Sequence, residues 1–223
     1  MTLVNLIYLG PPGVGKGTHA ERSAQYLKIP KISTGDMIRH EIEAGRETEF
    51  GVKLKRYHDG GLLVSDGIVL DILMERIDLH KDQKGFILDG VPRTLSQAKA
   101  LEKLLAERNQ GIDFVFYLNA SDDILFERLK GRMTCKACER IYHIKFQPPE
   151  VEWICDTCGG ELYIRDDQTD DAIRNRLHEY REKTKPVIKY YVNTNTFYEM
   201  NAESEISDVQ ERIIRLLSEK GYI

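Results

Sequence analysis

The sequence has no apolar run long enough to cross a bilayer. The longest near its start, Leu3–Leu9, is broken by Asn5 and falls well short of the roughly 20 residues a spanning helix needs. No positive residue precedes that run and no small-residue cleavage site is evident, so it does not read as a signal peptide. Positive charge is also short: 32 Lys and Arg against 36 Asp and Glu give a net charge of −4. A general nucleic-acid binder needs a net basic face, so neither nucleic acid nor membrane is an expected partner, although a local basic cleft is compatible with this balance. Cysteine is sparse. The four present are expected to be thiols or thiolates in a cytoplasmic setting rather than disulfides. Internal repeats and low-complexity tracts are absent. What remains, 41% hydrophobic and 30% charged over 223 residues, is the balance of a soluble globular chain.

Short apolar runs bounded by turn residues predict strands at Leu3–Leu9, Gly85–Asp89 and Ile112–Leu118. Their largely apolar character suits a parallel sheet covered on both faces. Helical spacing predicts helices over Gly15–Leu27, Asp66–Leu79, Thr94–Arg108, Ser121–Lys130 and Asp208–Ser218. Thr94 with Gln97, and Ser207 with Gln210, have capping-box spacing. The alternation of strand and helix predicts an α/β fold with a parallel sheet flanked by helices. Two stretches interrupt it: a helical segment at about 33–64, and a segment at about 131–168 that reads as a small β-rich insertion. The second holds all the cysteines, the single Trp153 and the pair Pro148–Pro149.

The first strand runs into Gly10-Pro11-Pro12-Gly13-Val14-Gly15-Lys16-Gly17-Thr18. In the order strand, loop, helix this reads as a phosphate-binding loop. Its glycines let backbone N–H groups turn inward around an anion, and the helix adds its positive end. Lys16 can reach the β- and γ-phosphates. Gly17 stands where the general pattern has Ser or Thr, with Thr18 following. The alternative is a tight Gly/Pro turn with no ligand. Asp89 ends a buried strand on the side where α/β sheets bind ligands, and suits Mg²⁺ held directly or through water. Its alternative is a turn or capping carboxylate before Gly90.

Cys135-Lys136-Ala137-Cys138 and Cys155-Asp156-Thr157-Cys158 form two C-x₂-C pairs separated by 16 residues. That spacing closes one tetrahedral thiolate site of zinc-ribbon type, and four protein ligands leave no open position, so the metal is expected to be structural. Free thiols or two disulfides are the alternatives, His143 could replace one cysteine, and iron or cobalt also suits four sulfurs.

Taken together, Gly10–Thr18, Ser33-Thr34-Gly35-Asp36-Met37-Ile38-Arg39, Asp89-Gly90-Val91-Pro92-Arg93 and Gly131-Arg132 resemble the adenylate kinases of the bacterial long-lid type, in the right order from residue 1 to about 218. The resemblance implies the P-loop nucleoside monophosphate kinase fold: a core of 1–32, 65–130 and 169–223, an AMP-binding arm of 33–64 and a zinc lid of 131–168. It implies reversible Mg-dependent transfer from ATP to AMP, giving two ADP, by a monomer. ATP would be held by Gly10, Gly13, Val14, Gly15, Lys16, Gly17 and Thr18, by Arg128 and Arg132, by Ile141 and Tyr142 at the base, and by the Ser204 carbonyl. AMP would be held by Thr34, Arg39, Leu62, Leu63, Val64, Gly90, Arg93, Gln97, Arg165 and Arg176. Lys16, Arg93, Arg128, Arg132, Arg165 and Arg176 would surround the transferring phosphate.

The chemistry agrees with the inventory. The acceptor is a phosphate oxygen, already anionic, so arginines are needed and a general base or Ser–His–Asp set is not. Taken singly, Arg128 and Arg176 on predicted helices could be solvated, and Gln97 could serve only as capping partner of Thr94. The chain departs from the family at His19 for Gln, Val91 for Phe, Gly67 for Glu, Met133 for Arg and Gln168 for a second Asp after Asp167. Rival readings are a kinase for UMP, CMP or GMP, a zinc-ribbon nucleic-acid module on a nucleotide-binding core, and a non-catalytic nucleotide sensor.

Overall fold

The computed structural model describes residues 3–45, 49–60 and 62–223; residues 46–48 and 61 of the expected arm lie outside them. Strand β1 (Val4–Leu9) forms the centre of the main sheet, with every residue buried. Its side chains alternate, as a strand requires. Leu6 and Tyr8 join a core with Phe114, Phe116, Leu125, Ile173 and Ile213 on one face, while Ile7 and Leu9 join Leu73, Leu88, Leu101 and Val187 on the other. Full burial of each such side chain is worth about 1.5–3 kcal/mol, which explains why these strands carry almost no polar residue.

Beside β1 lie β2 (Lys31–Ser33), β3 (Gly85–Asp89), β4 (Phe114–Asn119) and, at the far edge, β8 (Phe197–Asn201), in the order β2-β3-β1-β4-β8. All pairs are parallel. The helices are α1 (Lys16–Leu27), α2 (Thr34–Ala44), α3 (Glu49–Asp59), α4 (Asp66–Leu79), α5 (Leu95–Ala106), α6 (Asp122–Lys130), α7 (Asp170–Glu179), α8 (Lys185–Tyr191) and α9 (Ile206–Glu219). A π-helical turn, Tyr180–Thr184, joins α7 to α8. Among the described residues no helix is long and apolar enough to cross a membrane.

The three expected strands are present, and β2 and β8 add to them. Thr94 caps α5 by accepting from Gln97 N at 3.1 Å. The second capping expectation fails: α9 starts at Ile206 after Glu205, which puts Ser207 inside the helix. Gln210 turns inward instead: its Oε1 accepts from His19 Nδ1 at 3.0 Å and its Nε2 donates to Ser23 Oγ at 3.0 Å. Buried polar groups of α1 need partners, and that demand outweighs a local cap.

A separate antiparallel sheet is built from β5 (Arg132–Cys135), β6 (Ile141–His143) and β7 (Leu162–Tyr163), in the order β6-β5-β7. Its small core comprises Met133, Cys135, Tyr142, Cys155 and Leu162. So little apolar surface gives a segment of this size little stability of its own.

Candidate active site

The phosphate loop leaves β1 at Gly10, whose φ is +144° and where a Cβ would come within 2.3 Å of the Leu118 carbonyl oxygen. Only glycine lets the chain turn there. The loop ends at Lys16, the first residue of α1, whose Nζ donates to the Gly10 and Pro11 carbonyls, each at 2.8 Å. Burial pulls the Lys16 ammonium down to about 7; Asp89 opposes this, while Arg93, Arg176 and Arg132 reinforce it. This lysine is surrounded by positive charge, an arrangement that favours phosphate.

Parallel pairing sets Asp89 opposite Tyr8, one strand away from the loop. A Cβ on Gly17 would stand 3.2 Å from Asp89 Oδ2 and 3.8 Å from Ile141 Cδ1. The position that carries Ser or Thr in the general pattern is therefore held close by a carboxylate and by the second sheet. Thr18 follows within α1, and Val14 is buried beneath the loop. The donor set around Asp89, an acid beside a phosphate cradle, suits Mg²⁺.

On the other side of the cleft, Thr34 Oγ1 donates to the Gly90 carbonyl at 2.9 Å and Arg93 Nε donates to the same oxygen at 2.7 Å. Gln97 accepts from Arg93 N at 2.7 Å and donates to Asp66 Oδ1 at 2.8 Å. It therefore reaches beyond Thr94, and Asp66, which the sequence did not single out, orients it. Arg39 is ion-paired to Asp36. Val64 is buried in the core, Leu62 is exposed, and Leu63 lines an open cleft of about 510 Å³ with Lys16, Gly90, Arg93, Arg176 and Tyr180.

Three guanidiniums meet above that cleft around one acid. Arg176 Nη1 lies 2.5 Å from Asp167 Oδ2, and Arg132 Nη2 lies 3.5 Å from Asp167 Oδ1. Arg165 is fixed through Nε, which donates to Thr134 Oγ1 at 2.9 Å. Thr134 was missed from sequence, because a threonine in a short strand carries no signal. Burial opposes ionisation of Asp167, yet Arg176, Arg132, His58 and Arg165 outweigh it and hold the carboxyl down to about 2.

Two of the expected residues sit away from Lys16 and the arginine cluster. Arg128 stands apart from the cluster. Its Nη1 donates to the Ala202 carbonyl at 3.0 Å and its acidic neighbour is Glu203, so it faces the turn that holds Ser204. Tyr142 is 1% exposed in the core of the second sheet, with its hydroxyl 3.4 Å from Cys155 Sγ and accepting from Asp156 N at 2.9 Å. Its ring is not open to a base, and Ile141 is the side chain of that pair that reaches the loop.

The four cysteine Sγ atoms lie within 4.8 Å of one another. Cys135 and Cys158 are 3.5 Å apart and Cys138 and Cys155 are 3.6 Å apart. A disulfide needs about 2.05 Å, whereas four sulfurs about 2.3 Å from one tetrahedral ion lie roughly 3.8 Å apart. The cluster thus fits a metal and not two bridges. His143 is committed elsewhere: its Nε2 lies 3.2 Å from the Glu127 carbonyl, and its Nδ1 accepts from Lys145 N and Phe146 N.

Comparison with known proteins agrees with this geometry. The family model for adenylate kinase matches residues 8–196. The chain is 44% identical over 214 residues to the adenylate kinase of Geobacter sulfurreducens, covering 96% of this chain and 98% of that one. It is equally identical, over the same shares, to the adenylate kinase of Archaeoglobus fulgidus. The adenylate kinase of Geobacillus sp. also shares 44% over 96% of this chain and 98% of its own. A match over most of the chain, with relatives of this identity and near-equal length, makes the chain a member of the adenylate kinase family, whose members are nucleoside monophosphate kinases.

Proposed function

We propose that the phosphate loop, Gly10–Thr18, holds the phosphates of ATP, and that Thr34, Arg39, Leu62, Leu63, Val64, Gly90, Arg93 and Gln97 hold AMP across the cleft. Lys16, Arg93, Arg132, Arg165 and Arg176 then surround the phosphate in flight. The observation that carries this reading is the Arg132–Arg165–Arg176 group, which gathers round Asp167 and stands next to Lys16. Planar guanidiniums grip phosphate oxygens in pairs, and their fixed positive charge favours the charge of the transfer state. Both substrates are anions, so no side chain has to remove a proton. Arg128 and the turn at Ser204 serve the nucleoside end of ATP.

Mg²⁺ held near Asp89 supplies further charge neutralisation at the phosphates. Zinc bound by Cys135, Cys138, Cys155 and Cys158 supplies the stability that the small lid core lacks. We read the protein as a monomer of the cytoplasm, with residues 33–64 as the AMP arm and 131–168 as the lid.

The test is ADP formation from Mg-ATP with AMP, UMP, CMP or GMP as acceptor, beside an ATP-only control. Rapid ADP formation with AMP alone is expected. Faster turnover with another acceptor would move the specificity and overturn the assignment of the AMP residues.

A further inference from the structure

Gln168 stands where the family resemblance leads one to expect a second carboxylate after Asp167. It is 7% exposed, in the turn just before α7. Its side chain meets Arg132 twice. Oε1 accepts from Arg132 Nε at 3.1 Å, and Nε2 donates to the Arg132 carbonyl at 2.7 Å. These two contacts fix the amide orientation, because turning it over would set donor against donor and acceptor against acceptor. Asp167 takes Nη2 of the same guanidinium, while Nη1 makes no hydrogen bond to any described residue. The clasp therefore holds one edge of the fork and leaves the other free.

We propose that Gln168 is the positioning residue for Arg132: its neutral amide aims the open edge of the guanidinium at the phosphates and ties the first strand of the second sheet to the turn before α7. Oε1 fixes the guanidinium through Nε, while Nε2 fixes the backbone that carries it. This inference rests on the proposed role of Arg132 at the phosphates.

The test uses the full-length, metal-loaded protein and reads kcat, both KM values and Tm for Gln168→Leu, Gln168→Glu, Arg132→Ala and the double variant Arg132→Ala with Gln168→Leu. Misaimed charge at the reacting centre costs roughly ten- to a hundredfold in rate, so Gln168→Leu should lose that factor in kcat. Gln168→Glu keeps an acceptor for Arg132 Nε and should recover most of kcat, although it loses the carbonyl contact and any stability that goes with it. On the Arg132→Ala background, Gln168→Leu should change nothing further, since coupled residues are not additive.

Unchanged kcat in Gln168→Leu would overturn the inference, as would equal losses of kcat in Gln168→Leu and Gln168→Glu. So would the same loss with and without Arg132. If Gln168→Leu does not fold, Gln168→Met, whose thioether is only a weak acceptor and which cannot donate, takes its place in the cycle. An Arg132→Ala variant with undiminished kcat would instead remove the role of Arg132 itself.

Discussion

Lys16 carries a consequence that solution work can read directly. Burial, with Arg93, Arg176 and Arg132 nearby, holds its ammonium near 7 against the ordinary 10.5. The unfolded chain therefore binds the extra proton between those values, and this group's contribution to stability rises with pH across that window. Phosphate oxygens favour the charged form, so ATP binding at about pH 8 should take up close to one proton. Calorimetry in two buffers of different ionisation enthalpy measures that number, and Lys16→Met should abolish it. Asp167 behaves in the opposite sense. Its folded value, about 2, lies below the ordinary 3.8. Its stabilisation is complete above roughly pH 4 and is lost as pH falls through about 2. Melting curves of Asp167→Asn should show a flatter acid limb over that range, and a limb identical to the wild type's would contradict the arginine cluster as described.

Among elements, legibility in the sequence followed burial. β1, β3 and β4 are covered on both faces, so they appear as largely apolar runs, and the glycines and lysine of the loop stand at fixed spacing beside one of them. β8 lies at the sheet edge with mixed side chains, Phe197–Asn201, and β2 has only three residues. Neither offers a pattern to read. The same limit applies to side-chain direction. Residue type and spacing brought Arg128 and Tyr142 into the site, but only tertiary packing turned Arg128 toward Ala202 and Tyr142 toward the cysteines. The second sheet makes its own prediction. Its core of Met133, Tyr142, Leu162 and two cysteines is too small to hold β5, β6 and β7 without a metal. Chelation, or Cys155→Ser, should lower Tm by roughly 5–10 °C, given about 2–4 °C per kcal/mol at this size. Scanning calorimetry of the metal-loaded and stripped protein checks it, and equal melting temperatures would rule out a structural metal.

Over the whole molecule, the site is assembled from parts far apart in the chain. The main sheet delivers the loop and Asp89, the second sheet delivers Arg132 and Ile141, and α7 with the turn before it delivers Asp167 and Arg176. The parts also touch beyond the cleft: Lys55 of α3 lies 3.3 Å from Asp166, and Asn175 Nδ2 donates to the Gly60 carbonyl at 3.1 Å. Such exposed contacts contribute little energy. The measurement that tests the account most directly is kcat and both KM values of Arg176→Ala, with ATP and AMP saturating. If fixed positive charge drives the transfer, kcat falls about a hundredfold or more on protein that remains folded. A wild-type kcat with only a raised KM would show that Arg176 merely binds substrate, and would contradict the central claim.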